Sequence, residues 1–381
     1  MPGFLCLLAG FPFLPPEQWQ CDPWRNSRGI RDPYIVITTC SISLMLVPPY
    51  HRCFQLYIYR NIHLTRRALI DKKSLGLFIN ESSARMLTKL DKELQKQLES
   101  SGLPIITPYG LFLEIKKIYS NNQSLRLRKK FPDHDDLSLR RRNLIKANVL
   151  AEDHDYSQRA YRIVSQGNSP AEDICCLVDR FCYVSHLSAM ARYGLTDRRP
   201  ESLHLVTAHR DILQGLLKEE AEKDYGKETL EELSEHQIVL PRGVTHPATV
   251  RRRSIAVTSS KHLGKSIQLR GTRARISTIG QTFADMLERP NLAGGMAHVL
   301  DVWSNHADIY VEDIIECIDT RPQKLIKVRA GYILDEYLGI KDSRIEQWLG
   351  YAQRGGSQRL DPDSAYTGKF SEKWMISLNA Q

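Results

Sequence analysis

The sequence predicts an α+β protein in two parts: a helical module closed by a β-hairpin, then a mixed α/β domain with a helical end. Three observations carry that expectation. Helix-spaced apolar residues recur three times between Asn80 and Lys146, followed by two short apolar stretches around a polar turn. From Ser169, short strands and helices alternate. From Ile279 onward the chain reads as successive helices. At 381 residues there is room for two domains and an extra segment.

The segment 1–70 stands apart. Met1 to about Leu69 carries eight of the eighteen prolines and half of the eight cysteines, with no clear helix or strand period. We expect an atypical extension, disordered or read from a start placed too early. Gly3–Phe13 is apolar but lacks the charged flank and cleavage site of a signal peptide. Tyr34–Val47 is too short to span a bilayer. A cytoplasmic protein with no membrane partner is therefore expected.

The first module is expected over 80–165. Asn80 is a candidate cap for a helix with Ala84, Leu87, Leu90, Leu94 and Leu98 on one face, and Gly102 stops it. Thr107-Pro108 opens a second helix, with Leu111, Ile115 and Ile118 as its stripe. A third begins at Asp135 or Asp136, buries Leu137, Leu144 and Ile145, and ends at Asn148, where a left-handed residue is expected. At about 100° per residue, Ser138, Leu139, Arg142, Asn143 and Lys146 then face outward, with Arg140 on the flank and Arg141 nearer the core. Val149/Leu150 and Tyr161/Ile163 face inward from two strands around the Glu152–Asp155 turn. Three helices and a hairpin make a winged helix-turn-helix, which places its recognition helix in the major groove of DNA. The expected DNA contacts are Arg140, Arg142, Asn143 and Lys146 from the third helix, with Arg159 and Arg162 from the wing.

The second domain is expected over 169–381. Ser185 caps a helix His186–Tyr193 ended by Gly194, and Leu203, Leu205 and Thr207 share one face of a half-buried strand. An acidic helical region, Asp211–His236, is interrupted at Gly226. Strands follow in "RRRSIAVTSS" and "KSIQLRGTRARIST", then helices at Ile279–Glu288, Ala293–Ser304, Val311–Asp319 and Pro322–Leu338, with Gly294-Gly295 as a turn between two of them.

Charge is clustered. The net charge is +9, yet Arg251–Arg275 alone holds eight Lys/Arg and no acid: Arg251, Arg252, Arg253, Lys261, Lys265, Arg270, Arg273 and Arg275. That pattern favours a polyanionic partner. Read as a strand from Leu269, the basic stretch places Arg273 and Arg275 on one side while Ala274 and Ile276 pack inward.

Signs of catalysis are few. H-E-x-x-H, G-x-S-x-G and the P-loop pattern do not occur, so no catalytic, cofactor or metal residues are assigned. His186, His204, His209, His246 and His262 stand without a partner acid at a defined spacing. The eight cysteines lack zinc spacing and read as reduced, buried thiols. The acids Asp133, Asp135 and Asp136 read as a helix cap.

The stretches "FCYVSHLSAMARYGLTDRRPESLHLVT", His246-Pro247, "SIAVTSSKHLG" and "RGTRARISTIGQTFADMLERPNLAGG" together resemble the C-terminal domain of the AbiEi family, antitoxins of the AbiE type IV toxin–antitoxin systems. The resemblance runs from about Glu81 to the end and rests on the order of the motifs. The family pattern has an R-T-x-x-D helix; here Gln281 stands in place of its Arg, while Thr282 and Asp285 are kept. The resemblance implies a non-enzymatic antitoxin. Its N-terminal winged helix would bind operator DNA of its own operon and repress it. Its second domain would counteract a nucleotidyltransferase-type toxin without a stable complex, and would carry a basic surface that assists DNA binding. Two alternatives stay open: a stand-alone DNA-binding regulator, and a metal-dependent nucleic-acid-processing enzyme.

Overall fold

The computed structural model describes residues 87–121, 127–353 and 358–380. The expectations for residues 1–70 and for a cap at Asn80 lie outside them. The described chain is a mixed α/β structure with twelve α-helices and three sheets among the described residues.

The first elements run α1 (Lys89–Ser100), β1 (Ile105–Ile106), α2 (Pro108–Asn121), α3 (His134–Lys146), β2 (Leu150–Glu152) and β3 (Tyr161–Ile163). The start of α1 differs from expectation. Thr88 caps it, its hydroxyl accepting from the Asp91 N–H while Asp91 accepts from Thr88. The start of α3 also differs: Asp133 rather than Asp135 or Asp136 is the cap, in a second box closed by Asp136. A carboxylate at either position complements the helix N-terminus, so composition alone does not fix the register. Asn148 follows α3 with φ 54°, as expected. The strands form an antiparallel sheet in the order β1-β3-β2, with Ile106 opposite Tyr161 and Leu150 opposite Ile163.

Leu94, Leu98, Leu111, Phe112, Ile115, Leu144, Leu150 and Ile163 fill the core of these elements. The same core takes Ala221 and Tyr225 from the acidic helix α6 (Arg210–Tyr225), which ends at Gly226 as expected. Its charge is matched locally. Asp224 accepts from Tyr109 at 2.8 Å and from Arg180 at 2.8 Å.

A six-stranded mixed sheet is built from β4 (Tyr183–Val184), β5 (Leu203–Ala208), β6 (Thr249–Val250), β7 (Arg253–Ser260), β8 (Ser266–Gln268) and β9 (Arg275–Ser277), in the order β6-β7-β5-β4-β9-β8. β5 runs parallel to β7, and β4 parallel to β9. Both faces of β5 are covered: Val206 and Ala208 are buried as well as Leu203 and Leu205, so the half-buried reading fails. α4 (Ala171–Val178) packs on this sheet through Ile174, Cys175 and Val178, and α5 (His186–Tyr193) spans Ser185 to a left-handed Gly194. A short α7 (Lys227–Glu232) follows α6.

The helical end is close to expectation. α8 (Ile279–Glu288) and α10 (Val311–Asp319) match it residue for residue. α9 begins at Met296 rather than Ala293, because Gly294 and Gly295 both take φ 93° and the helix restarts after them. The last predicted helix becomes α11 (Lys324–Gly331) running into a π-helical turn, Tyr332–Tyr337. α12 (Ser343–Gln347) and a β10–β11 pair (Phe370–Ser371, Ile376–Ser377) follow. Phe283, Leu287, Val299, Trp303, Ile314, Trp348 and Trp374 form the core here. Among the described residues no helix is long and apolar enough to cross a membrane. Cys175, Cys176, Cys182 and Cys317 are buried and free, as read.

Candidate nucleic-acid interface

Helix α3 divides its polar residues between two jobs. Arg142 and Lys146 are exposed, with the Arg142 Nε donating to the Ser138 carbonyl at 3.3 Å. Asp135 and Leu139 complete the same stripe at helical spacing. Arg140 and Asn143 were expected to be outward or flanking, and the structure turns both toward α1. The fully buried Asp91 accepts from Arg140 Nη1 at 3.1 Å and from Asn143 Nδ2 at 3.0 Å. Arg140 also donates to the Thr88 hydroxyl at 3.0 Å. A carboxylate this buried needs its acceptors filled, and these donors fill them. Arg141 reaches the Tyr161 hydroxyl at 3.2 Å, on the core side as read. Ile145, expected inside, is 37% exposed.

The hairpin loop is fastened to residues far along the chain. Asp153 is buried and accepts from the N–H groups of Asp155 and Tyr156 at 3.0 and 3.1 Å. Arg251 reaches Asp153 at 2.5 Å and also pairs with Asp155. The Tyr156 hydroxyl meets His246 Nδ1 at 2.7 Å, and His246 Nε2 meets Asp179 at 3.3 Å. Burial works to raise the Asp179 carboxyl. Hydrogen bonds from His246, the Phe181 N–H and Thr207 outweigh that and hold it below its ordinary value. Asp179, Cys182 and His246 place ligand-type atoms within 4.8 Å of one another, a grouping their spacing in the sequence does not announce. Burial pushes the neighbouring Cys175 thiol up to about 12, so it stays protonated. Of the two hairpin arginines expected to contact DNA, Arg159 is exposed and donates to the Thr245 carbonyl at 3.1 Å. Arg162 is half-buried beside a cavity of 160 Å³ next to Arg251.

The eight basic residues of 251–275 divide between buried or half-buried partners and exposed positions. Arg251 and Arg252 make the two-residue β6–β7 turn with φ 50° and 64°, a conformation usually given to Gly or Asn. The carboxylates on Arg251 offset that strain. Arg253 donates to the buried Glu172 at 3.1 Å. Arg275 donates to the carbonyls of Cys182, Cys176 and Asp179 at 3.0, 2.7 and 2.6 Å, closing the end of α4. Lys261 pairs with Asp211 at 2.7 Å and Lys265 with Glu316 at 2.8 Å. Arg252, Lys261, Lys265, Arg270 and Arg273 are exposed, with Arg273 Nη2 donating to the Ser101 carbonyl at 3.4 Å. The expected basic strand from Leu269 is instead the β8–β9 turn, with Gly271 at φ 75°, so Arg270 and Arg273 project from a turn. Ala274 and Ile276 do pack inward as read.

No family model matches the chain, and no curated protein matches it. Among solved structures, the RV2827C protein from Mycobacterium tuberculosis aligns over 76% of this chain and 91% of its own, at 11% identity and a TM-score of 0.37. At that score the likeness carries no argument about this chain.

Proposed function

We propose that residues 89–163 act as a winged helix-turn-helix that binds operator DNA and represses the chain's own operon. The observation that carries this reading is the order α1-β1-α2-α3-β2-β3 with sheet order β1-β3-β2, in which α3 turns Arg142 and Lys146 to solvent. α3 is then the groove helix. Arg142 is the base-reading candidate, Lys146 a phosphate contact, and Arg159 a flanking contact from the hairpin. Arg140 and Asn143 hold α3 on α1 and set its orientation. Arg252, Lys261, Lys265, Arg270 and Arg273 are the second domain's exposed candidates for phosphate.

The AbiEi-like motifs extend the proposal. The protein works in the cytoplasm as a non-enzymatic antitoxin, opposing a nucleotidyltransferase-type toxin without a stable complex. Two experiments test these levels separately. Fluorescence anisotropy with the duplex preceding the gene tests repression: Arg142→Ala and Lys146→Ala should weaken binding, while a scrambled duplex binds poorly. Co-expression with an adjacent nucleotidyltransferase-like gene tests the antitoxin role by growth rescue. DNA binding without rescue leaves a stand-alone regulator.

A further inference from the structure

A cavity of about 310 Å³ opens beyond the carboxyl ends of the parallel strands β5 and β7, against the last turn of α8. Open α/β sheets bind ligands at such strand ends, and the volume suits a small organic molecule. Its chemistry is asymmetric. At the deep end the buried Asp285 spends Oδ1 on Arg321 at 3.0 Å and on Gln281 at 2.5 Å. Its buried Oδ2 takes no hydrogen bond from the described residues, and neither does Gln323 Oε1 in the same wall. Buried acceptors of this kind are ordinarily filled. Burial pushes the Asp285 carboxyl up to about 7 despite Arg321 and Gln281, as befits a group short of donors.

His186 adds a second sign. It lines the cavity with a buried imidazole and a left-handed φ of 48°, directly where β4 turns into α5. Non-glycine strain of this kind gathers at ligand sites. The rim has the opposite character: Arg289 and His262 are exposed there, and no side-chain partner holds Arg289 among the described residues.

We propose that this cavity binds a nucleoside monophosphate or a close analogue. N–H groups of the base would donate to Asp285 Oδ2 and Gln323 Oε1, and the phosphate would meet Arg289 at the rim. The proposal is independent of DNA binding by α3.

The test is calorimetry on the full chain. The probes are the 5′-monophosphates of adenosine, guanosine, cytidine and uridine, their nucleosides, and inorganic phosphate. At least one monophosphate should bind with Kd below about 1 mM, roughly tenfold tighter than its nucleoside and than phosphate. Arg289→Ala should remove that tenfold gain and leave nucleoside binding alone. Asp285→Asn puts a permanent donor where the carboxylate accepts, and at pH 8 should abolish binding of both. Gln323→Leu, at a half-exposed position, serves if Asp285→Asn fails to fold, and should weaken nucleoside and nucleotide alike. Absence of binding across the panel overturns the proposal. So does phosphate binding as tightly as the nucleotides, or binding unchanged in the Arg289 and Gln323 variants.

Discussion

Replacing Asp91 by Ala should unfold the first module before any other single change in it does. Asp91 is fully buried, and its carboxylate accepts from four donors: the Thr88 N–H and hydroxyl, Arg140 and Asn143. Arg140 is only 13% exposed, so its guanidinium would be left with one side-chain partner, Thr88. Removing one member of a buried pair costs about 3–5 kcal/mol. Loss of half the capping box adds about 1 kcal/mol. The sum is a large share of the ~5–15 kcal/mol that holds a domain folded. Urea unfolding followed by circular dichroism reads the cost as a lower midpoint at unchanged slope. A double-mutant cycle between Asp91→Ala and Arg140→Ala should then show strong coupling, because either change alone leaves the other group buried without its charge partner. A loss of less than about 1 kcal/mol for Asp91→Ala would refute the reasoning. So would additive single changes, since Arg140 and Asn143 would then be free for other work.

Further outcomes follow from the same geometry. Arg142→Ala and Lys146→Ala should leave the unfolding midpoint in place; Lys146→Ala should lower the salt slope of DNA binding by about 0.9, and Arg142→Ala should cost about 1–3 kcal/mol of discrimination between the native and scrambled duplexes, both read by anisotropy across a salt series. Arg275→Ala strips three carbonyls of their donor and should cost about 2–4 kcal/mol in the same urea assay. pH separates two cavity residues. Burial, aided by His204, Arg289 and Arg321, lowers His186 from 6.5 to about 3. Between those values the unfolded chain holds a proton that the folded one lacks, so stability falls as pH falls, by up to about 1.4 kcal/mol per pH unit. Asp285 is raised from 3.8 to about 7, so the folded chain holds the extra proton and stability falls as pH rises across that range. His186→Gln should therefore gain on the parent at pH 5 relative to pH 8. Asp285→Asn should gain at pH 8 relative to pH 5. Melting temperatures at the two pH values check both.

The sequence announces what local chemistry settles. The limits of α8 and α10, the breaks at Gly194, Gly226 and Gly294-Gly295, and the left-handed Asn148 are written in caps, periods and glycines. Periodicity also placed Leu137, Leu144, Ala274 and Ile276 inside. It could not say which neighbour a flank residue would meet. Asp91 lies about fifty positions before Arg140 and Asn143, and nothing local marks it as their acceptor. The partners within the basic run are hidden for the same reason. Arg251, Arg253, Arg275, Lys261 and Lys265 look free in a stretch without acids, and each finds a carboxylate or carbonyl brought in from elsewhere in the chain. The cavity was invisible, because His186, Asp285 and Gln323 come from three separate segments. Asp285 of the "QTFAD" stretch was its one local trace, and Arg321, from the end of another helix, pairs with it at 3.0 Å.

The central claim is that the exposed face of α3 reads DNA. The most direct measurement is anisotropy of the full chain on the duplex preceding its gene and on a scrambled duplex, at about 50 and about 200 mM salt. The account predicts at least a thousandfold preference for the native duplex at the higher salt. It also predicts affinity that falls steeply as salt rises, and a preference sharply reduced by Arg142→Ala. Equal binding to both duplexes, unchanged by Arg142→Ala, would contradict it.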